Sequence, residues 1–242
     1  MVLVVDVVCV KWGTEYSDDY VRILKAMVER NTTVPFNFKA FTDTPIDGID
    51  TYPLPEGLNG WWNKLYLFSK HHTYNNVLDK RVVYLDLDTV ITGNIDFFLN
   101  WDEGEFMGIE NLGVNNRFED GTQYHNVFQS GVMAWERDWA HFIYDIFVDR
   151  QEEILQKVRG DGELLHDIFR QLALPVHLFQ HTWPGKLKSY KYQIYETGLD
   201  DETAIICFHG TPRPHEAIGP ESTFPWGVEF VANPWIGDIW KL

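Results

Sequence analysis

The segment from Val2 to Val10 is a nearly unbroken run of apolar, mostly β-branched side chains, and it constrains the fold more than any other feature. Such a run is typical of a strand that is covered on both faces. A helix is predicted to open at Ser17, Asp18 and Asp19, because acidic side chains suit a helix N-terminus. The next strand is predicted over residues 36–41. Strand, helix and strand form a βαβ unit, so the sequence predicts a parallel sheet.

The rest of the chain continues the same alternation of apolar segments and turns. The further predicted elements are a helix at 61–70, strands at 81–85, 104–109 and 127–135, a long helix at 138–157, a helix from about 163, and a strand at 203–208. The tail at 220–242 is rich in Trp, Pro and Gly and is expected to wrap the surface. With no internal repeat and no flexible linker in 242 residues, a single domain spanning 1–242 is predicted.

The formal net charge of −16 narrows the possible partners. It argues against nucleic acid, whose phosphates need a basic face, and against anionic membrane surfaces. An anionic ligand would therefore need local neutralisation, for which a divalent cation is suited.

Three features predict a cytoplasmic protein without a membrane anchor. No run of about 18 apolar residues is present, so no transmembrane helix is expected. The apolar start lacks a basic leader and contains Asp6, so it is interpreted as a strand and not as a signal peptide. Cys9 and Cys207 lie in apolar strand-like runs, which predicts buried free thiols in a reducing compartment.

The sharpest chemical signal is a pair of acids at the end of an apolar strand. Val82 to Leu85 is followed at once by Asp86 and Asp88. The carboxyl end of a strand is where sheets of this class bind ligands, and residues two apart on a strand face the same way. Two facing carboxylates repel unless a cation lies between them. Hard oxygen ligands suit Mg²⁺ or Mn²⁺, so a metal site is predicted; the alternative is an acidic turn that Asp88 caps.

Several segments together resemble glycosyltransferases of the GT-A fold, in particular the glycogenin and galactosyltransferase-like family 8. The matching segments, in chain order, are Lys11-Trp12-Gly13-Thr14-Glu15-Tyr16, Trp62-Asn63-Lys64, the Asp-x-Asp motif at Asp86 and Asp88, Phe128-Gln129-Ser130-Gly131-Val132-Met133, Gly160-Asp161-Gly162, and Phe208-His209-Gly210-Thr211-Pro212-Arg213-Pro214. The resemblance implies a three-layer α/β/α sandwich with a mixed, mostly parallel sheet. Its Rossmann-like half at 1–100 would bind the nucleotide, and residues 101–242 would bind the donor sugar and the acceptor.

The resemblance also implies a ligand set. Asp86 and Asp88 would hold the metal, with His209 as a third ligand. A ligand set of imidazole and carboxylates favours Mn²⁺ over Mg²⁺. Gly210 would let its backbone approach the diphosphate. Arg213 would contact the phosphates in place of the family's Lys, which its forked guanidinium allows.

Further residues follow from the same match. Gln129, where the family has Asn, and Ser130 would lie beside the donor sugar. Asp161 is the second catalytic candidate, with the capping of the following helix as its alternative role; Gly162 follows it where the family has Gln. The remaining candidates for binding the nucleotide are Lys11, Thr14, Tyr16, which could stack on a base, and Lys64, which could meet a phosphate.

The predicted activity is transfer of a glycosyl group from a nucleoside-diphosphate sugar, UDP being the favoured nucleotide, to a hydroxyl of a glycan or other acceptor. The family likeness implies retention of configuration, although Asp161 could act as a base in an inverting scheme. Two alternatives stay open: a haloacid-dehalogenase-like phosphatase with Asp86 as nucleophile and Asp88 as acid/base, and an inactive homologue that only binds sugar nucleotides. The polar segment 111–126 is hypothesised to be a lid over the cleft.

Overall fold

A computed structural model describes residues 4–112, 128–219, 222–223, 229–230 and 232–242. The strands are β1 (Val5–Lys11), β2 (Phe36–Thr42), β3 (Asp50–Pro53), β4 (Arg81–Leu85), β5 (Thr89–Ile91), β6 (Phe106–Glu110), β7 (Phe128–Glu136), β8 (His177–Leu178), β9 (Leu187–Ser189), β10 (Ile205–Cys207), β11 (Ser222–Thr223) and β12 (Glu229–Phe230). The α-helices are α1 (Asp18–Arg30), α2 (His71–Tyr74), α3 (Asp96–Leu99), α4 (His141–Asp149), α5 (Gln151–Lys157), α6 (Asp161–Gln171), α7 (Phe179–Thr182), α8 (Tyr195–Thr197), α9 (Pro214–Ile218) and α10 (Trp235–Ile239). A 3₁₀ helix covers Gly60–Phe68 and a π-helical turn covers Tyr190–Ile194.

In the part of the chain that is described, the main sheet has seven strands in the order β3-β2-β1-β4-β7-β6-β8. The strands from β3 to β4 are parallel to one another, and β7 runs antiparallel to both of its neighbours. A second sheet of three strands, β5-β10-β9, joins the main one at the carboxyl end of β4. The prediction of a mixed, mostly parallel α/β sheet is confirmed.

Alternate residues of the central strands enter two separate cores. Cys9 and Val83 pack with α1 on one face of the sheet. Val82 and Tyr84 pack on the other face, against the 3₁₀ helix, α4 and α6. Leu165 of α6 belongs to the same core. Because side chains alternate across a strand, a run that is apolar throughout is buried on both sides. The molecule is therefore the three-layer α/β/α sandwich that the sequence predicts.

Several element boundaries differ from the sequence predictions. The helix predicted at 138–157 is two helices, α4 and α5, since the backbone at Arg150 leaves helical geometry. The segment at 61–70 forms a 3₁₀ helix and not an α-helix. The helix expected from about 163 begins two residues earlier, at Asp161, with Gly160 at its N-cap position. Asp161 is thus the first helical residue, and the alternative role as the cap of this helix is wrong.

Both cysteines are free and buried, as predicted. None of the helices in the described ranges is both long enough and apolar enough to cross a bilayer.

A buried ion pair ties β1 to β2. Asp6, which is fully buried, accepts hydrogen bonds from Lys39 Nζ at 2.7 Å, from Asn37 Nδ2 at 3.0 Å and from the Asp79 amide at 2.6 Å. Lys39 Nζ also donates to the Val77 carbonyl at 2.8 Å. All polar atoms of the pair therefore have partners, and the pair fixes the loop before β4 against the start of the sheet.

Lys39→Met is expected to lower the free energy of unfolding by about 3–5 kcal/mol, because it leaves the Asp6 charge buried without its cation. Urea denaturation would measure the change. Lys25→Met is the matched control: its ion pair with Glu29 lies on the exposed face of α1, where such pairs contribute about 0–1 kcal/mol. Equal losses in the two variants would contradict this role of the Asp6–Lys39 pair.

Candidate active site

The two acids of the motif lie in a short loop, residues 86–88, that follows β4 directly; we call it the acidic loop. The Asp86 amide donates to the carbonyl of Gly131 on β7 at 2.9 Å, and the Phe208 amide donates to the Asp88 carbonyl at 3.2 Å. A Cβ atom at Gly131 would lie 3.3 Å from Asp86 Oδ2, a close contact, so glycine leaves room for the carboxylate. The loop is therefore anchored to the sheet on both sides.

The acidic loop forms the floor of a cleft of about 680 Å³, a volume in the range of small-molecule sites. The sequence-predicted residues that line it are Asp86, Asp88, Gln129, Ser130, Asp161 and His209. They come from the acidic loop, from β7, from the first turn of α6 and from the segment that follows β10. The fold thus brings together residues that are more than 120 positions apart in the chain.

Lys64 joins three of these residues from behind the cleft. Its ammonium lies 3.1 Å from Asp86 Oδ1, 3.2 Å from Asp161 Oδ2 and 3.3 Å from Ser130 Oγ. Ser130 Oγ also donates to Asp161 Oδ2 at 2.5 Å, and Tyr84 OH donates to Asp86 Oδ1 at 2.5 Å. One buried cation therefore holds two carboxylates in fixed positions on the cleft wall.

Burial and mutual repulsion both affect the pKa values of the two acids of the motif. Burial raises the pKa of Asp86, although the Lys64 cation and the Tyr84 hydroxyl oppose it; 32% of the Asp86 side chain remains exposed. Burial, reinforced by the charge of Asp86, raises the pKa of Asp88 to about 8. Burial alone would lower the pKa of Lys64, but Asp161 and Asp86 raise it. A cation placed between the two acids would relieve their repulsion.

Tyr16 and Arg213 meet at the edge of the acidic loop. Tyr16 OH donates to Asp88 Oδ2 at 3.3 Å, and the Arg213 guanidinium lies over the Tyr16 ring at 4.7 Å from its centroid. Arg213 also donates to the Glu15 carbonyl at 3.1 Å and forms an ion pair with the Glu15 carboxylate. Its charge is therefore matched within the protein.

His209 follows β10 and lies beside the π-helical turn. Its Nε2 atom is 2.8 Å from Ser189 Oγ, and its ring packs near Tyr192 at 5.5 Å between centroids. Burial, and then the nearby Lys191 charge, lower the pKa of His209 to about 4, so the imidazole is neutral near pH 7. Gly210 follows with φ +80°, a backbone conformation that favours glycine.

The fold matches that of solved glycosyltransferase structures. The galactosyltransferase LgtC, crystallised with donor and acceptor sugar analogues, aligns over 86% of this chain and 88% of its own with a TM-score of 0.61 and 14% identity. The glycosyltransferase GlyE of Streptococcus pneumoniae TIGR4 aligns over 98% of this chain with a TM-score of 0.65 and 14% identity. This chain spans 60% of the GlyE chain.

The chain has the GT-A fold of these glycosyltransferases. The resemblance that the sequence motifs indicate is thus confirmed at the level of the fold. No protein-family model matches the sequence, and no curated protein resembles it significantly in sequence.

The donor chemistry of the cleft fits a hard or borderline divalent cation. Asp86 and Asp88 offer carboxylate oxygens, and His209 on the same cleft offers a neutral imidazole. In the present arrangement the first acid is held by Lys64 and His209 Nε2 is engaged by Ser189. Within the described ranges, no three such side chains already form a metal-binding group. The residue types fit, and because a carboxylate offers about four lone-pair sites on its two oxygens, Asp86 can accept a cation while Lys64 stays bound.

Other sequence-predicted residues lie away from the cleft lining. The Lys11 ammonium contacts the Gly13 carbonyl at 3.2 Å and Asp18 at 3.3 Å, and Thr14 is exposed nearby. Their proposed role in nucleotide binding stays a prediction. Of the segment hypothesised to be a lid, 111–126, only residues 111 and 112 are described. Both line the cleft; the rest of the segment lies outside the described residues.

Sequence reasoning missed two residues of this region. Tyr84 was interpreted only as a strand residue, yet its hydroxyl donates to Asp86. Alternation predicts that Tyr84 and Asp86 share a face, and this signal could have found it. Lys191 lies in a polar stretch without periodicity, and no local signal in the sequence marks it.

Proposed function

We propose that this protein is a metal-dependent glycosyltransferase that moves a sugar from a nucleoside-diphosphate sugar, with UDP as the favoured nucleotide, to a hydroxyl of a glycan or other acceptor. The observation that carries the proposal is the pair of strand-end acids, Asp86 and Asp88, facing a cleft of about 680 Å³ in a GT-A fold. In this scheme residues 1–100 bind the nucleotide, and residues 101–242 bind the donor sugar and the acceptor.

Asp86, Asp88 and His209 would hold Mn²⁺ or Mg²⁺. Bound there, the ion supplies positive charge to the diphosphate as it leaves. The protein's own contribution on this side is positional. Tyr16 holds the Asp88 carboxylate, and Tyr84 and Lys64 hold that of Asp86, so both acids are oriented before a ligand arrives.

Asp161 is suited to hold the donor sugar. Its contacts with Lys64 and Ser130 are both made by Oδ2. Among the described residues no bond to Oδ1 is formed, and Asp161 lines the cleft, so Oδ1 can accept a hydrogen bond from a sugar hydroxyl. Gln129, whose Nε2 donates a hydrogen bond to Asn111 Oδ1 at 2.8 Å, would bind the same sugar from β7. Retention of configuration is part of the proposal, and proton NMR of the product would distinguish it from inversion.

The outer wall of the cleft suits a polar acceptor. It is formed by one face of α6, which presents Glu163, His166, Asp167 and Arg170. Charged and hydrogen-bonding side chains of this kind bind the hydroxyl groups of a glycan. We place the reaction in the cytoplasm, and the two free, buried cysteines agree with a reducing compartment.

A thermal-shift screen of UDP-, GDP-, ADP- and dTDP-sugars, each with and without Mn²⁺, tests the proposal. A ligand that binds only the folded state at a hundredfold excess over its Kd adds about 2.7 kcal/mol of stability. For a chain of this size that corresponds to a rise in Tm of about 5–10 °C. The expected result is such a rise for one nucleotide sugar, dependent on Mn²⁺, followed by release of the nucleoside diphosphate when an acceptor is supplied.

Two other results would contradict the proposal. Hydrolysis of p-nitrophenyl phosphate with Mg²⁺, without any response to nucleotide sugars, would instead favour the phosphatase. A Mn²⁺-dependent shift without turnover on any acceptor would favour a homologue that only binds sugar nucleotides.

A further inference from the structure

Lys191 lies near the acidic loop, at the end of the second sheet where β9 and β10 finish and β5 begins. In that sheet Cys207 pairs with both Thr89 and Ser189, so these three residues form one row. Two residues beyond the row are Lys191, in the π-helical turn, and His209. Such turns are frequent at functional sites. The topology thus brings Lys191 and His209 to the same edge of the sheet as the acidic loop.

The turn that carries Lys191 is anchored by its own hydrogen bonds. The Ser189 amide donates to Gln193 Oε1 at 2.8 Å, and Ser189 Oγ accepts from the Tyr192 amide at 3.3 Å. The Asn233 side chain donates to the Tyr190 hydroxyl at 2.7 Å. The backbone around Lys191 is therefore fixed, and its side chain is presented from a rigid position.

Lys191 is a buried lysine whose ammonium lacks an acceptor among the described residues. Its residue is only 8% exposed, as are Lys39 and Lys64, while Lys11 is 5% exposed. Those three lysines each meet at least one carboxylate within 3.3 Å. No such contact exists for Lys191 in the part of the chain that the structure describes. Burying an ammonium without a carboxylate in contact is costly, so an anion from outside the protein is the expected partner.

The Lys191 ammonium lies beside Gly210, the residue that follows His209 of the cleft lining. Its Nζ atom lies 3.6 Å from the position that a Cβ atom at Gly210 would take. Burial lowers the pKa of Lys191, and the charge of Asp88 opposes that shift. The Lys191 charge in turn lowers the pKa of His209. Lys191 is therefore electrostatically coupled to both Asp88 and His209, and it faces the bare backbone of Gly210.

Arg213, which the sequence motif suggested for phosphate binding, is already engaged. Its guanidinium is bonded to the carbonyl and the carboxylate of Glu15 and is stacked on Tyr16. Releasing it for a phosphate would break an ion pair and two further contacts. Among the described residues, Lys191 has no ion pair that would have to break before it could bind a phosphate.

We infer that Lys191 is the protein cation that binds the diphosphate of the donor, beside Gly210, and that Arg213 instead positions Tyr16 against Asp88. The inference rests on the proposed function, because it assumes that a nucleoside diphosphate enters this cleft. An ammonium in this position donates up to three charge-assisted hydrogen bonds to phosphate oxygens. Its positive charge also reduces the electrostatic repulsion between the acidic loop and a dianionic ligand.

Isothermal titration calorimetry of UDP and of inorganic pyrophosphate, without and with Mg²⁺, tests the inference on Lys191→Met. The expected result is an affinity about 10- to 100-fold weaker for both ligands, from the loss of charged hydrogen bonds. The Tm of the unliganded variant should be unchanged or higher, because an unmatched buried charge is removed. Lys188→Met is the matched control, since Lys188 lies on β9 and pairs with Asp200 away from the cleft; its affinities should stay within about twofold.

The outcomes separate the inference from the proposed function. If the wild-type protein binds UDP and Lys191→Met binds it equally well, the inference fails and the proposed function stands. A Tm lower in Lys191→Met than in Lys188→Met would assign Lys191 a structural role and would also overturn the inference. If the wild-type protein binds neither UDP nor pyrophosphate under any of these conditions, both proposals fail.

Discussion

Asp88→Asn is expected to lower kcat/KM for nucleotide-sugar turnover by about 10³-fold, equivalent to about 4 kcal/mol of lost transition-state stabilisation. The amide keeps the size of the side chain but removes the charge that a divalent cation needs. Asp86→Asn should have an effect of the same size, since the two acids act on one ion. Release of the nucleoside diphosphate, measured with saturating Mn²⁺, is the readout.

The fold of the Asp88→Asn variant should survive the substitution, since Asp88 has no ion pair among the described residues. The two acids repel each other, and burial with the charge of Asp86 raises the pKa of Asp88. Removing one charge therefore relieves an unfavourable interaction, and the Tm without ligand should not fall. Asp47→Asn, the same chemical change at an exposed position, is the control and should keep full activity. Full activity in Asp88→Asn would rule out its role as a metal ligand.

Lys64→Met is expected to lower both stability and activity. The substitution leaves Asp86 and Asp161 facing each other across a buried site without the cation that lies 3.1 Å and 3.2 Å from them. Removing one partner of such a buried pair costs about 3–5 kcal/mol of unfolding free energy. Loss of the fixed carboxylate positions should lower kcat/KM by about 10²-fold, since misplacement by about 1 Å has effects of that size.

A double substitution separates the two effects of Lys64. Lys64→Met combined with Asp161→Asn removes one positive and one negative charge, so part of the lost stability should return. Activity should not return, because Asp161 is proposed to bind the donor sugar. Urea denaturation and kcat/KM measured on the same preparations provide both numbers. A double variant that is no more stable than Lys64→Met would show that Lys64 does not act through the two carboxylates.

The sequence predicted best those features that depend on short, local patterns. Residues 81–85 form the predicted strand, and Asp86 and Asp88 follow it at the cleft floor. An apolar run of this kind forms a buried strand, so the acids that follow it must lie at the carboxyl end of that strand. The interruption at Arg150 was missed, because the apolar periodicity continues from α4 into α5 while the backbone turns.

Features set by long-range pairing could not be predicted in the same way. Asp6 stands in an apolar run, and nothing local shows that Lys39 and Asn37 reach it from the parallel strand beside it. Lys191 reaches the acidic loop only because short strands from distant parts of the chain pair with one another. Strands of three residues carry no periodic signal. The partners of Arg213 likewise depend on its approach to Glu15, 198 residues earlier.

The most direct test of the central claim is a crystal structure with UDP and Mn²⁺, in which anomalous scattering locates the metal. The predicted result is one manganese peak in contact with the carboxylates of Asp86 and Asp88 and with the phosphates of UDP. A well-ordered UDP bound elsewhere, or a metal site that includes neither acid while Lys64 still holds Asp86, would contradict the claim.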